Sequence, residues 1–308
     1  CQAHEIIRTW AFYSIVKSLY HTGKIPWKDI MISGFVLAKP GEKISKSKSN
    51  ASDSPMALIE NHSADAIRYW AANSKLGTDT FFSEEELKIS KRFINKLYNA
   101  AKFAILQLED FKKPEHYEEA DLLPVDRWIL QRVNETTRKV TALLEHYEIG
   151  QARHEIDTFF WRDFCDYYIE IAKERLYQPE KHGAENRYSG QIAVYYSLLG
   201  ILKLYAIYTP YVTEYIYQDF YRKQEKEKSL HETLWETKKE ERIYIEFGEH
   251  LKEIIAEVRK NKTEHQMSMK DSIPELIITC PKRFRELYRK SEKDIKACTG
   301  AENLIIRT

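Results

Sequence analysis

The sequence predicts a mainly α protein with α/β pieces at both ends. Three observations carry that prediction. An apolar, β-type run at residues 30–37 closes on a Pro40-Gly41 turn. Long runs with apolar residues at helical spacing fill residues 83–222. Finally, two short apolar strands, at 275–280 and 304–306, flank a basic helical run at 281–290.

At 308 residues the chain is long enough for two or more domains. The net charge is only +1, so any nucleic-acid face must be local. The sequence has no apolar run of membrane length and no signal-peptide pattern. Cys1, Cys165, Cys280 and Cys298 form no C-x-x-C pair, and the ten His show no metal spacing. The expectations are therefore no bound metal, no membrane, a reducing cytoplasm and a monomer. Because the chain opens on Cys within a helical pattern, it is expected to be a fragment of something longer.

In order, residues 4–20 place Ile6, Ile7, Trp10, Val16 and Leu19 at helical spacing, ending near Gly23. The strand at 30–37 follows, then a lysine–serine loop at 43–50. Short helices at 53–59 and from Ser63 through Trp70 complete the end of an α/β domain and a helical connector. Ser83 with Glu86 reads as a capping box for a helix to about Leu108. Phe93, Leu97, Ala101, Ala104 and Leu108 form its apolar face. Helices are expected at 124–147, at 151–177, and at 187–222 with a break at Thr209-Pro210. Four or five such helices with short links make a bundle. Residues 223–241 are charge-dense and read as a helix end and solvated linker. A helix at 243–260 and the strand–helix–strand pattern beyond it make a small α/β unit. Its Lys/Arg excess suggests RNA contact, although basic surfaces of that size are ordinary. The expected domains are thus 1–55, 56–82, 83–240 and 241–308.

Two features carry chemistry. The loop at 43–50 sets three lysines and three serines just past a strand, offering ammonium groups, hydroxyls and backbone N–H donors to a polyphosphate. On composition it reads equally as a solvated loop, and no Walker A spacing is present. The other feature is a stripe. Arg92, Lys96, Asn99 and Phe103 are spaced four, three and four, opposite the apolar face of their helix. An aromatic among basic and amide side chains suits stacking of an unpaired base with phosphates nearby. Alternatively, Phe103 packs beneath a neighbouring element.

Residues 43–47, K-I-S-K-S, resemble the KMSKS signature of the class I aminoacyl-tRNA synthetases, with Ile44 in place of Met and Ser49 where Gly is usual. Four further stretches, at 2–10, 64–70, 95–103 and 157–177, are similar to the same family in its order and spacing. The aromatic-rich Phe159-Phe160-Trp161 and Phe164-Cys165-Asp166 stretch points to the valine-specific branch, in its archaeal or eukaryotic form. The alternatives are the isoleucyl, leucyl or methionyl relatives, or a non-catalytic helical RNA-binding protein.

The resemblance implies a fold and a set of roles. The N-terminal piece would be the end of a Rossmann-type catalytic domain, and the bundle would bind the anticodon. Lys46 would stabilise charge on the ATP phosphates while valine is activated, with Mg2+ accompanying the nucleotide. Lys43, Ser45 and Ser47 would order the loop, and Gly34, Phe35 and Val36 would border the ATP site. Ile6 and Trp10, one turn apart, would wall the valine pocket, with Glu5 (where Asp is usual) at its polar end. Trp10 read without the resemblance is a core aromatic. Arg68, Arg92, Lys96, Asn99 and Phe103 would contact tRNA(Val). The sequence contains no H-x-G-H motif, the other half of such an ATP site, and no room for an editing domain. The chain alone is therefore expected neither to activate valine nor to edit.

Overall fold

The computed structural model describes residues 2–39, 41–44 and 54–308. It is mainly helical, with strands of two to seven residues. The chain folds as two compact units. One comprises Cys1–Lys96, Val140–His154 and Tyr208–Pro210; the other comprises Leu97–Lys139, Glu155–Ile207 and Tyr211–Thr308. The C-terminal α/β element belongs to the same unit as most of the bundle.

In the first unit, β1 (Gln2–Ala3) leads through a 3₁₀ turn (His4–Arg8) into α1 (Trp10–Thr22). This corrects the continuous helix expected over 4–20. The Thr9 N–H donates to Ile6 C=O at 3.1 Å, an i→i+3 bond, and Thr9 takes φ −119° and ψ −98°. The α-helical ladder starts only with Tyr13 N–H to Thr9 C=O. Gly23 closes α1 in the left-handed region, φ 69°, where glycine has no Cβ penalty.

The apolar run at 30–37 is likewise split. β2 (Ile32–Ser33) pairs parallel with β1, and β3 (Val36–Lys39) pairs antiparallel with β4 (Glu42–Lys43). Next come α2 (Pro55–His62), α3 (Ala64–Ala71) and β5 (Thr80–Phe81), which pairs parallel with β3. The split falls at Gly34, where a Cβ would sit 2.0 Å from the Thr78 carbonyl oxygen. Phe35 N–H then donates to Asp79 Oδ1 at 2.8 Å, so the strand is interrupted where the 78–79 backbone, running alongside, packs against Gly34. Ser54 and Ser63 cap α2 and α3 through their hydroxyls.

The long helices follow as α4 (Glu84–Leu106), α5 (Pro124–Glu145) and α6 (Ile149–Thr158). The helix expected at 151–177 is interrupted by ten residues of π-helix, Phe159–Tyr168, before α7 (Ile169–Tyr177). The wider turn stacks Phe160 on Phe164 and Phe164 on Tyr168, and it buries Asp163 against Arg132 and Lys252. After the short α8 (Pro179–His182), α9 (Ala184–Tyr205) is buried on nearly every side. The break at Thr209-Pro210 occurs as expected, and α10 (Pro210–Asp219) follows.

Residues 233–241 expose most of their side chains, as expected of a solvated linker, but their backbone is tied to α5. Asn134 on α5 binds both backbone groups of Lys238 at 2.7 Å, and Glu241 N–H donates to Gln131 Oε1 at 2.9 Å. Two buried amides therefore hold this strap on the helix, and Arg127 and Arg138 pair with Glu241 and Glu240. The chain ends with α11 (Arg242–Glu264), β6 (Ile273–Thr279), α12 (Arg285–Lys290), α13 (Glu292–Thr299) and β7 (Ala301–Arg307). β6 and β7 pair in parallel from Ile273↔Ala301 to Thr279↔Arg307. Helix α13, absent from the sequence reading, makes this crossover possible.

Candidate nucleic-acid interface

Helix α4 forms where expected. Ser83 Oγ accepts Glu86 N–H at 3.3 Å, but the reciprocal bond of the capping box is replaced: Glu86 Oε2 accepts Trp70 Nε1–H at 2.8 Å. Phe93, Leu97, Ala101 and Ala104 are buried. Arg92, Lys96 and Asn99 are exposed on the opposite side, and Phe103 is half-buried. Arg92 pairs with Glu85 at 2.8 Å, but both side chains are about two-thirds exposed, so water screens the pair and leaves Arg92 available.

Phe103 packs in part against a neighbouring helix. Its ring meets the edge of Tyr177 with centroids 5.8 Å apart and planes at 63°. Tyr177 itself is 51% exposed, as is Leu106, three residues beyond Phe103 on the same helix. Phe103, Leu106 and Tyr177 thus form an aromatic and apolar step at the end of the α4 stripe. Sequence reasoning misses Tyr177 and Leu106, because both end their helices and the Phe103–Tyr177 pairing is between helices. It also misses Lys102, which is exposed on the same helix.

The segment following α4 is locked to α9. Arg187 grips Asp110 (Nη2 to Oδ1 2.9 Å) and Gln191 Nε2 donates to the same oxygen. The Arg187 guanidinium holds the Asp110 carboxyl below the usual carboxylate range. Arg187 Nε also donates to Leu176 C=O, so one side chain fixes both the end of α4 and the Tyr177 end of α7.

In the N-terminal unit, Arg68 is exposed on α3, whose other face buries Asp65, Ala66, Tyr69 and Trp70. The Tyr69 ring stacks on Phe93 at 4.1 Å and carries the Arg153 guanidinium at 4.2 Å on a ring face. Ile6 is half-buried in the 3₁₀ turn, Glu5 is exposed, and Trp10 is 67% exposed at the start of α1. Trp10 is therefore not a core aromatic. Nor do Ile6 and Trp10 share one face of a continuous helix, because the break at Thr9 lies between them. His4, unassigned from the sequence, sets its ring edge-on to Phe35 at 4.7 Å.

Around the nucleotide loop, Gly34 is fixed by packing against Thr78, and the Phe35 N–H is consumed by Asp79. Val36 is exposed, and Lys43 lies in β4 opposite Leu37. Ser45, Lys46 and Ser47 lie outside the described residues. Among the described residues no group of three or more His, Cys, Asp or Glu could hold a metal ion, and no helix is long and apolar enough to cross a membrane.

Comparison with known proteins adds sequence and fold relationships. The family "tRNA synthetases class I (I, L, M and V)" matches residues 2–83, and "Anticodon-binding domain of tRNA ligase" matches residues 126–277. A valine–tRNA ligase of Rickettsia felis is 40% identical over 314 residues, covering 98% of this chain and 35% of that protein. The valine–tRNA ligase of Ehrlichia canis is 39% identical over 308 residues, covering 99% and 37%. The chain thus spans little more than a third of the length of the relatives it matches. A solved LeuRS–tRNA–LeuAMS complex from Agrobacterium radiobacter K84 aligns with a TM-score of 0.59 at 17% identity. It covers 79% of this chain and 28% of that one, a likeness of fold.

Proposed function

We propose that this chain, which belongs to the class I tRNA synthetases of the isoleucyl, leucyl, methionyl and valyl group, forms part of a valine–tRNA ligase and supplies its tRNA-binding helices. The observation that carries the reading is the exposed side of α4. There a basic and amide stripe ends on the half-open Phe103–Tyr177 ring pair.

The chemistry follows from that face. An unpaired base of the tRNA(Val) anticodon loop stacks on the Phe103, Leu106 and Tyr177 step, a contact worth roughly 1–3 kcal/mol per base. Arg92, Lys96 and Lys102 lie along the helix for the phosphates, and Asn99 offers amide donors and an acceptor to a base edge. Arg68 on α3 meets the inside of the tRNA. Arg187 keeps the two walls of the step in register.

In the whole enzyme, valine carboxylate attacks the α-phosphorus of ATP, forming one P–O bond as the bond to pyrophosphate breaks. Lys46, with Lys43, Ser45 and Ser47, supplies charge and hydrogen bonds to the phosphates during that attack, and Mg2+ comes with the nucleotide. Gly34 and Val36 border the site, whereas the Phe35 N–H, already bound to Asp79, serves to hold the strand. Glu5 and Ile6 on the 3₁₀ turn and Trp10 at the start of α1 approach valine from two elements, and the solvent-exposed indole of Trp10 supports its part in that placement. The enzyme would act in the cytoplasm.

Binding of this chain to a valine tRNA transcript and to one with a changed anticodon, each at two salt concentrations, tests the reading. Tighter binding of the native anticodon at both salts is the expected result. Equal affinity for the two transcripts would reduce the contact to non-specific phosphate binding and overturn it.

A further inference from the structure

We propose that the cleft between α8 and the α12–α13 pair tracks the phosphodiester backbone of bound RNA, as a second contact separate from the α4 face. The proposal rests on the reading that this chain binds tRNA. The cleft encloses about 710 Å³ and is lined by Lys181, Arg289, Lys290, Lys293 and Lys296. Seven basic and three acidic side chains lie between Lys282 and Lys296, in a chain whose net charge is only +1. The excess is therefore local to this element.

Three acids also line the cleft, and two of them are already engaged from within. Asp294 is 3% exposed and faces Arg175 Nε at 3.1 Å. Glu174 is bridged by Lys181 at 3.3 Å and by the buried His182 at 3.4 Å. By contrast, Lys290, Lys293 and Lys296 make no ion pair among the described residues, whereas Arg283 and Arg289 pair with Glu246 and Glu286. Lys293 and Lys296 are three apart on α13 and Lys290 ends α12, so the α12–α13 side of the cleft carries all three. With Glu292 beside it and the other two cleft acids engaged elsewhere, the row keeps a net positive charge and matches a repeating anion better than a single carboxylate.

Continuity with the aromatic step favours RNA over an acidic protein. Lys181 follows Tyr177 by four residues, with α8 starting directly after α7, so the cleft begins one short turn beyond the ring pair. An RNA strand that stacks a base at Phe103 can lay its next phosphates into this cleft.

The test compares wild-type chain, the triple variant Lys290→Ala/Lys293→Ala/Lys296→Ala and the corresponding triple arginine variant. Each is titrated with the valine tRNA transcript and the anticodon-changed transcript across a salt series. The alanine variant is expected to lose roughly tenfold in affinity for both transcripts alike. Its log–log salt slope should fall by about 2, near 0.7 per lost phosphate contact on a single strand. Preference for the native anticodon should survive, and the arginine variant should bind as wild type does. Unchanged affinity and slope in the alanine variant, with anticodon preference intact, overturn the cleft and leave the α4 reading standing. So does rescue failure in an arginine variant that melts at the wild-type temperature. Absence of tRNA binding by the wild-type chain removes the parent reading and this one with it.

Discussion

Arg175 on α7 and Asp126 on α5 form a two-pronged ion pair, with both side chains fully buried. Arg175 Nη1 donates to Asp126 Oδ2 at 2.8 Å and Nη2 donates to Oδ1. Tyr168 and Ser189 hydroxyls donate to the same carboxylate. From α13, Asp294 approaches Arg175 Nε. One guanidinium thereby bridges the bundle and the C-terminal α/β element within one compact unit.

Removing that guanidinium leaves two carboxylates buried against each other. Arg175→Met is expected to cost about 3–5 kcal/mol, the range for breaking a buried ion pair by deleting one partner. Urea unfolding reads it directly. A loss below about 1 kcal/mol would mean that the packing of α13 on α7 holds the element without the charge.

Asp294 gives a pH dependence of definite sign. Burial pushes its carboxyl up to about 6 from an ordinary 3.8, against the pull of Arg175. A raised folded-state value means that the native protein holds this proton more tightly than the unfolded chain does. Its stabilisation is complete below about pH 4 and lost as pH rises through about 6, a swing on the order of 3 kcal/mol. Asp294→Asn should flatten the melting temperature between pH 4 and 7 relative to wild type. Parallel profiles for the two proteins would place the titration elsewhere.

Gly248 on α11 lies against Trp128 on α5. A Cβ there would fall 2.0 Å from the indole Cδ1, and Trp128 is fully buried. Gly248→Ala gains about 1 kcal/mol of helix propensity. It must also move a buried indole, and overpacking costs about 1–3 kcal/mol. A net fall in stability is expected on thermal melting, and a rise would show that α11 can lift away at no cost.

Much of the fold is legible in the sequence because helical periodicity is local. The α4 stripe, the break at Thr209-Pro210 and the β6 and β7 strands follow from spacing and proline alone. What escapes depends on distant partners. The run at 30–37 is split by the 78–79 backbone, forty residues on, and a search along the run itself cannot see it. Residues 233–241 look solvated by charge, yet Asn134 and Gln131 hold their backbone. The Thr9 break separates Ile6 from Trp10 without any glycine or proline to announce it. At the site, Phe103 is visible as an aromatic out of place on a polar face. Its neighbour Tyr177 is not, because the pairing is between helices.

If Phe103 stacks on an anticodon base, its loss and the loss of that base are energetically coupled. A double-mutant cycle tests it most directly: wild type and Phe103→Ala, each titrated with native and anticodon-changed valine tRNA transcripts at fixed salt. Expected is a loss of about 1–3 kcal/mol from either change alone and little further loss from the two together, since both remove the same stacked contact. Fully additive losses, or a Phe103→Ala variant that still prefers the native anticodon by the wild-type margin, would contradict it.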